Sequence, residues 1–142
     1  MASISRIEPW QRALIYGAVG VNLEVAFTAI KAKKPELQGF TQVWVVPIYA
    51  AGAMAVEILR KNPQFKNTNV LLRAIAYALI FFSIEYSAGY GIKKMIGKCP
   101  WEYTGKYSVH GYIKASYFPI WCALGLLAER VTAITRRVAL VK

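Results

Sequence analysis

Long apolar blocks alternate with short charged ones along this chain. The first apolar block covers residues 13–30 and closes on Lys31, Lys33, Lys34 and Pro35. The second covers 41–59 and is stopped by Arg60, Lys61 and Pro63. The third covers 70–92 and ends at Lys93 and Lys94, and the fourth covers 112–133 before a basic tail at Arg136, Arg137 and Lys142. At 1.5 Å per residue, a helix of such length reaches roughly 27 Å, about the thickness of a bilayer core. The pattern predicts an all-α, polytopic membrane protein: one domain over residues 1–142 with four transmembrane helices. The connection over residues 95–111 is too long for a tight turn and holds Trp101, Tyr103, Tyr107 and His110. Such aromatic residues suit the membrane interface, so an interfacial or re-entrant loop is expected.

Composition sharpens this picture. The hydrophobic fraction is 56% and the net charge is +11. A nucleic-acid binder can carry that charge but does not need four long apolar blocks. The charges lie between the blocks, where loops meet lipid headgroups, so the expected partners are the bilayer and its anionic headgroups, with no nucleic acid. Ten basic residues fall on the side of the termini and eight on the other, which fixes no orientation. Cys99 and Cys122 have no metal-ligand spacing and make no disulfide framework. No metal or cofactor is expected. The segment before residue 13 has no cleavable apolar core, so the first block is expected to act as an uncleaved anchor.

The chain also repeats itself. Pro47-Ile48-Tyr49 is followed by Glu57, and Pro119-Ile120-Trp121 is followed at the same distance by Glu129. The blocks before them carry Glu24 and Glu85. The expectation is two repeated helical hairpins, related by a pseudo-two-fold axis along the membrane normal.

All seven acids are glutamates, and Glu24, Glu57, Glu85 and Glu129 fall one per apolar block. A carboxylate in a membrane span is costly and marks a candidate site. The first and third helices are expected to approach with Glu24 and Glu85 facing the interior. Two close carboxylates do not both ionise easily in low dielectric, so such a pair can exchange a proton for a cation. The competing reading is polar glue between helices, as in a non-transporting subunit or scaffold, with Arg60, Arg73 and Arg130 as partners. Pro47 and Pro119 are expected to free the carbonyls of Val43 and Ala115.

In the loop, Trp101, Glu102, Tyr103 and His110 are the candidates, with Trp101 and Tyr103 expected to cap the polar centre beside Glu85. No zinc helix, nucleophile elbow or phosphate loop is present, so enzyme chemistry is not expected. A membrane-embedded lipid enzyme would have to work through His110 or Glu102. Four spans are few for a pore within one subunit, which makes a homodimer plausible.

Several of these residues fall into motifs. Gly20-x-x-x-Glu24-Val25-x-Phe27-Thr28-Ala29, Thr41-x-Val43-Trp44, Glu85-x-x-x-Gly89 and Cys99-Pro100-Trp101-Glu102-Tyr103 are the clearest. On these the chain resembles the transmembrane protein 229 family and, more distantly, bacterial proteins labelled ABC-transporter type IV membrane proteins. The likeness runs from about Pro9 to Arg130. The family pattern has Asp and Ser where this chain has Glu102 and Thr104. The resemblance implies a multi-pass membrane protein; it implies no nucleotide-binding site, and the chain has no nucleotide-binding motif.

Overall fold

A computed structural model describes residues 4–33, 39 and 41–141. Lys34, Pro35 and Lys142, assigned above to a loop and to the tail, lie outside the described residues. The protein is mostly helical, with two short strand pairs that an all-α reading does not include.

Strand β1 (Ile4–Arg6) leads into helix α1 (Pro9–Lys31). The helix starts ahead of its apolar block because its first turn is capped. Glu8 and Gln11 form a reciprocal capping box, and Pro9 sits where a missing N–H costs nothing. Helix α2 (Val45–Leu59) starts later than residue 41, because the preceding residues form turns in which Val45 N–H donates to Gln42. Asn62 caps the single turn α3 (Pro63–Lys66), its side chain accepting from Gln64 and Phe65 N–H. Asn69 caps the long helix α4 (Val70–Ile96) in the same way through Leu71 N–H, at 2.8 Å. Gly97, at φ 83°, ends α4 in the left-handed conformation, with its N–H bonded to Lys93 O.

The connection after α4 is built rather than loose. Strands β2 (Ser108–Val109) and β3 (Ile113–Lys114) pair antiparallel around a tight turn. This hairpin and a 3-10 turn at Ala115–Tyr117 delay helix α5 (Phe118–Thr135) to a start later than residue 112. Strand β4 (Ala139–Val141) then pairs antiparallel with β1, Ile4 opposite Val141.

Both prolines fall near helix starts, which corrects the expectation of freed carbonyls. Pro47 is in the first turn of α2, and the Val43 carbonyl accepts from Val46 N–H at 3.3 Å. Pro119 is in the first turn of α5, and the Ala115 carbonyl accepts from Phe118 N–H. A helix's first N–H groups have no intrahelical partner, so proline is tolerated there.

The chain divides into two compact units, Met1–Met54 with Val131–Lys142, and Ala55–Arg130. In the first, α1 and α2 approach closely through glycine: a Cβ on Gly20 would lie 2.3 Å from the Tyr49 Cβ. In the second, Ala74, Tyr77, Ala78, Phe81, Glu85, Gly89 and Ile92 recur at three- and four-residue intervals, making one buried stripe along α4. Trp121, Gly125 and Glu129 make the matching stripe on α5. Phe81 packs on Trp121 with ring centroids 5.3 Å apart, and Gly125 makes room for Tyr77. Outside the stripe α4 stays apolar, with Leu71, Leu72 and Leu79 exposed. Apolar residues on all sides suit a lipid surround. Three helical segments, Pro9–Lys31, Val70–Ile96 and Ala115–Thr135, are long and apolar enough to cross a membrane, and Val45–Leu59 is a shorter apolar helix.

Candidate functional site

The four intrahelical glutamates do not share one environment. Glu129 of α5 is saturated. Arg73 of α4 donates to it twice, Nε to Oε2 at 3.0 Å and Nη2 to Oε1 at 3.3 Å. The Tyr77 hydroxyl donates to Oε2 at 2.7 Å, and Arg60 Nη1 lies 3.5 Å from Oε1. The arginines also bind the turn between α2 and α4: Arg73 Nη1 donates to the carbonyls of Thr68 and Lys66, and Arg60 Nη1 to that of Lys66. One carboxylate therefore ties α4, α5 and the turn at α3 together. It has little accepting capacity left for a ligand. Arg130 is exposed and Glu57 is buried on α2, 1% exposed.

Glu85 is different. It is 6% exposed on the α4 stripe, and its Oε1 accepts from the Tyr103 hydroxyl at 2.7 Å. That donor comes from the loop, not from a helix. The loop holds Tyr103 firmly. Its N–H donates to Gly111 O at 2.9 Å, its carbonyl accepts from Ser108 Oγ at 2.9 Å, and its ring meets Tyr117 edge-on. Trp101 Nε1 donates to Tyr112 O at 3.0 Å, and the Tyr112 ring lies over Gly89, one turn beyond Glu85. The loop thus folds back on α4 and covers its carboxylate.

The hairpin tip carries His110. Tyr112 N–H donates to Val109 O, and both central residues have positive φ, 53° at His110 and 78° at Gly111. This is a type I′ turn, which favours Asn-Gly and puts strain on histidine. His110 Nδ1 is 2.9 Å from the Tyr86 hydroxyl, one residue beyond Glu85. Glu102 is exposed, its stem against Gly111. Cys99 is buried, and burial pushes its thiol above the usual range, against a smaller opposing effect of the hydrogen bond from the Trp101 backbone.

Glu24 belongs to the other compact unit. It is half-buried, and its Oε2 accepts from the Tyr49 hydroxyl of α2 at 3.1 Å. Glu24 and Glu85 are each described within their own unit. The structure brings Glu85, Trp101, Tyr103 and His110 into one neighbourhood and Glu129 into another.

Sequence reading missed Tyr49, Tyr77, Tyr86 and Tyr112. A signal for two of them was present. Arg12, Ala13, Tyr16 and Glu24 recur sixty-one residues later as Arg73, Ala74, Tyr77 and Glu85. Gly39, Pro47, Ile48, Ala51 and Glu57 recur seventy-two residues later as Gly111, Pro119, Ile120, Ala123 and Glu129, and on the same spacing Tyr49 aligns with Trp121. The two spacings differ by eleven residues, and the change falls between Glu85 and Gly111, the stretch that holds the Cys99–Tyr103 segment.

Apolar helices that carry buried carboxylates, together with a basic, tyrosine-rich loop, define a helical membrane protein. A family model described as Putative ABC-transporter type IV matches residues 13–140, and the chain belongs to that family. No solved structure matches it.

Proposed function

We propose that this is a four-span membrane protein in which the Glu85–Tyr103 pair and the Glu24–Tyr49 pair, each within its own compact unit, are each a site for a cation or a small cationic or lipidic ligand that is exchanged for a proton. The observation that carries this reading is the Tyr103–Glu85 hydrogen bond. A buried carboxylate held by a loop hydroxyl is released when the loop moves, so it can change partners. Glu129, held by Arg73 and Tyr77 of α4 and by Arg60 from the turn after α2, has the makings of a permanent lock. Glutamates of both kinds in one chain join the transport and scaffold readings: Glu129 holds the fold through arginines, and Glu85 and Glu24 are held by tyrosine hydroxyls that a ligand can replace.

The β1–β4 pairing supports four spans. It puts the strand before α1 beside the strand after α5, which needs an even number of crossings between them. With the three long helices across, α2 supplies the fourth. At fifteen residues α2 reaches roughly 22 Å, a mismatch that local thinning of the bilayer accommodates. The two recurrences support the duplicated hairpin, as do its contacts: Gly20 meets Tyr49 in one hairpin and Phe81 meets Trp121 at the matching positions in the other. The Cys99–Tyr103 segment and Glu85-x-x-x-Gly89 support placement near the transmembrane protein 229 family.

Reconstituted vesicles loaded with a pH-sensitive dye test the proposal, with a sodium or potassium gradient as the driving force. Wild type should move protons against the cation gradient, and Glu85→Gln and Glu24→Gln should abolish this while still inserting and purifying normally. Wild-type flux in both variants sinks the proposal. Loss of assembly in both favours the scaffold.

A further inference from the structure

The loop end of α4 carries charge that the carboxylate sites do not use. From Lys93 to Tyr117 there are five lysines, Lys93, Lys94, Lys98, Lys106 and Lys114, and one acid, Glu102. Four of the ammonium groups rest over tyrosine rings. Lys94 Nζ lies 4.9 Å from the Tyr90 centroid and Lys114 Nζ 5.6 Å from that of Tyr117. Lys93 and Lys106 lie 5.7 Å from Tyr112 and Tyr107. These pairs draw on α4, the loop and β3, all within one compact unit.

Two features point to what this collar faces. First, among the described residues no carboxylate lies within ion-pair distance, 4.0 Å, of any of these lysines. A cation over a ring face is held by the ring quadrupole and keeps N–H donors for another acceptor. Lys93 and Lys94, in the last turn of α4, also complement its C-terminal dipole end, whereas Lys98, Lys106 and Lys114 are not on that helix. Second, apolar surface lies among the charges. Met95 and Ile96, between Lys94 and Lys98, are 75% and 49% exposed. A soluble anion has no use for them, whereas an acyl chain does. Tyrosine is also the residue that settles at the headgroup level of a bilayer.

We infer that this lysine–tyrosine collar binds the phosphodiester headgroup of an anionic phospholipid in the leaflet it faces, with Met95 and Ile96 against the acyl chains. The inference is independent of the transport reading and stands or falls without it.

The full chain in nanodiscs made from equal parts phosphatidylglycerol and phosphatidylcholine provides the test. After delipidation in mild detergent, the retained lipid is measured by mass spectrometry. Wild type should retain phosphatidylglycerol several-fold over phosphatidylcholine. Replacing Lys93, Lys94, Lys106 and Lys114 together by glutamine should remove the preference, and replacing them by arginine should keep it. Glu102→Gln, which removes the one local acid, should raise it. Inorganic phosphate, at the ionic strength of a chloride control, should displace no more phosphatidylglycerol than chloride does. Preference retained in a folded glutamine variant overturns the inference. So does specific displacement by phosphate, which would make this a free-anion site. If the glutamine variant fails to fold, Glu102→Gln and single Lys94→Gln decide: no change in either overturns it.

Discussion

Tyr103 and Glu85 are joined by a 2.7 Å hydrogen bond between the loop and the buried face of α4. The phenol is a removable cover on a costly group. A buried side-chain hydrogen bond of this kind contributes on the order of 1–2 kcal/mol, and removing its donor costs about that much. Tyr103→Phe keeps the ring against Tyr117 and removes only the hydroxyl. It should loosen the loop, seen as faster hydrogen exchange at the amides of Trp101 and Tyr103. Stability should fall by about 1–2 kcal/mol. Exchange as slow as in wild type would mean that the backbone bonds to Gly111 and Ser108 hold the loop without the phenol.

Glu129 should behave as structure. Glu129→Gln leaves two guanidinium groups, Arg60 and Arg73, without their counter-charge in a largely buried place. Breaking such a pair costs roughly 3 kcal/mol or more. Unfolding in mixed detergent micelles should show this loss for Glu129→Gln and a smaller one for Arg73→Lys. Lysine keeps the charge but loses the fork that bonds twice. A stable Glu129→Gln that has lost only flux would make Glu129 part of the transport site.

Cys99 gives a pH signature. Its thiol is pushed up by burial, so folding favours the protonated form. The contribution to stability is therefore complete below the ordinary thiol range and is lost as pH rises through the higher folded value. Maleimide labelling of Cys99 in folded protein should be slow near neutral pH and should begin at higher pH than in unfolded protein. Cys99→Ser should flatten the alkaline loss of stability. Labelling at the same rate in both states would place the thiol in water.

Much of this fold was legible because its strongest signals are local. Block length located all four apolar helices, although α4 runs past residue 92 and through Lys93 and Lys94 to Ile96, where Gly97 rather than the lysines ends it. The exact starts were hidden, since they depend on caps such as Glu8 with Gln11 and on turns before α2 that hydropathy does not register. Pro47 and Pro119 were misread for that reason: a proline's effect depends on whether it lies in a first turn or an interior one. At the site, glutamates stood out as charges in apolar surroundings. Tyr77 did not, because tyrosine is common in such surroundings and its bond to Glu129 spans fifty-two residues. Only comparison of the two halves of the chain would have drawn it out.

Helix approach in the second unit rests on a missing side chain. A Cβ on Gly125 would lie 2.3 Å from Tyr77 Cβ, so Gly125→Ala must push α4 and α5 apart. Such overpacking costs about 1–3 kcal/mol, and here it also strains the Tyr77–Glu129 bond. Gly91→Ala, where nothing lies within 4 Å of the added carbon, should instead stabilise α4 by about 0.5–1 kcal/mol. Equal effects of the two substitutions would argue against close packing of α4 on α5.

Topology can be read directly. Strand β1 lies beside β4, so Arg6 and Arg137 should face the same compartment. The loop around Lys98, at the far end of α4, should face the other. If α2 lay along the surface, the chain would cross three times, Arg6 would share its side with Lys98, and Arg137 would be alone. Single cysteines at 6, 98 and 137, in a chain with Cys99 and Cys122 changed to serine, separate these arrangements. Sealed vesicles treated with an impermeant maleimide should label positions 6 and 137 together and position 98 only after permeabilisation, or the reverse. Labelling of 6 and 98 from one face would remove the fourth span. It would also break up the β1–β4 pair, because strands on opposite sides of a bilayer cannot exchange hydrogen bonds.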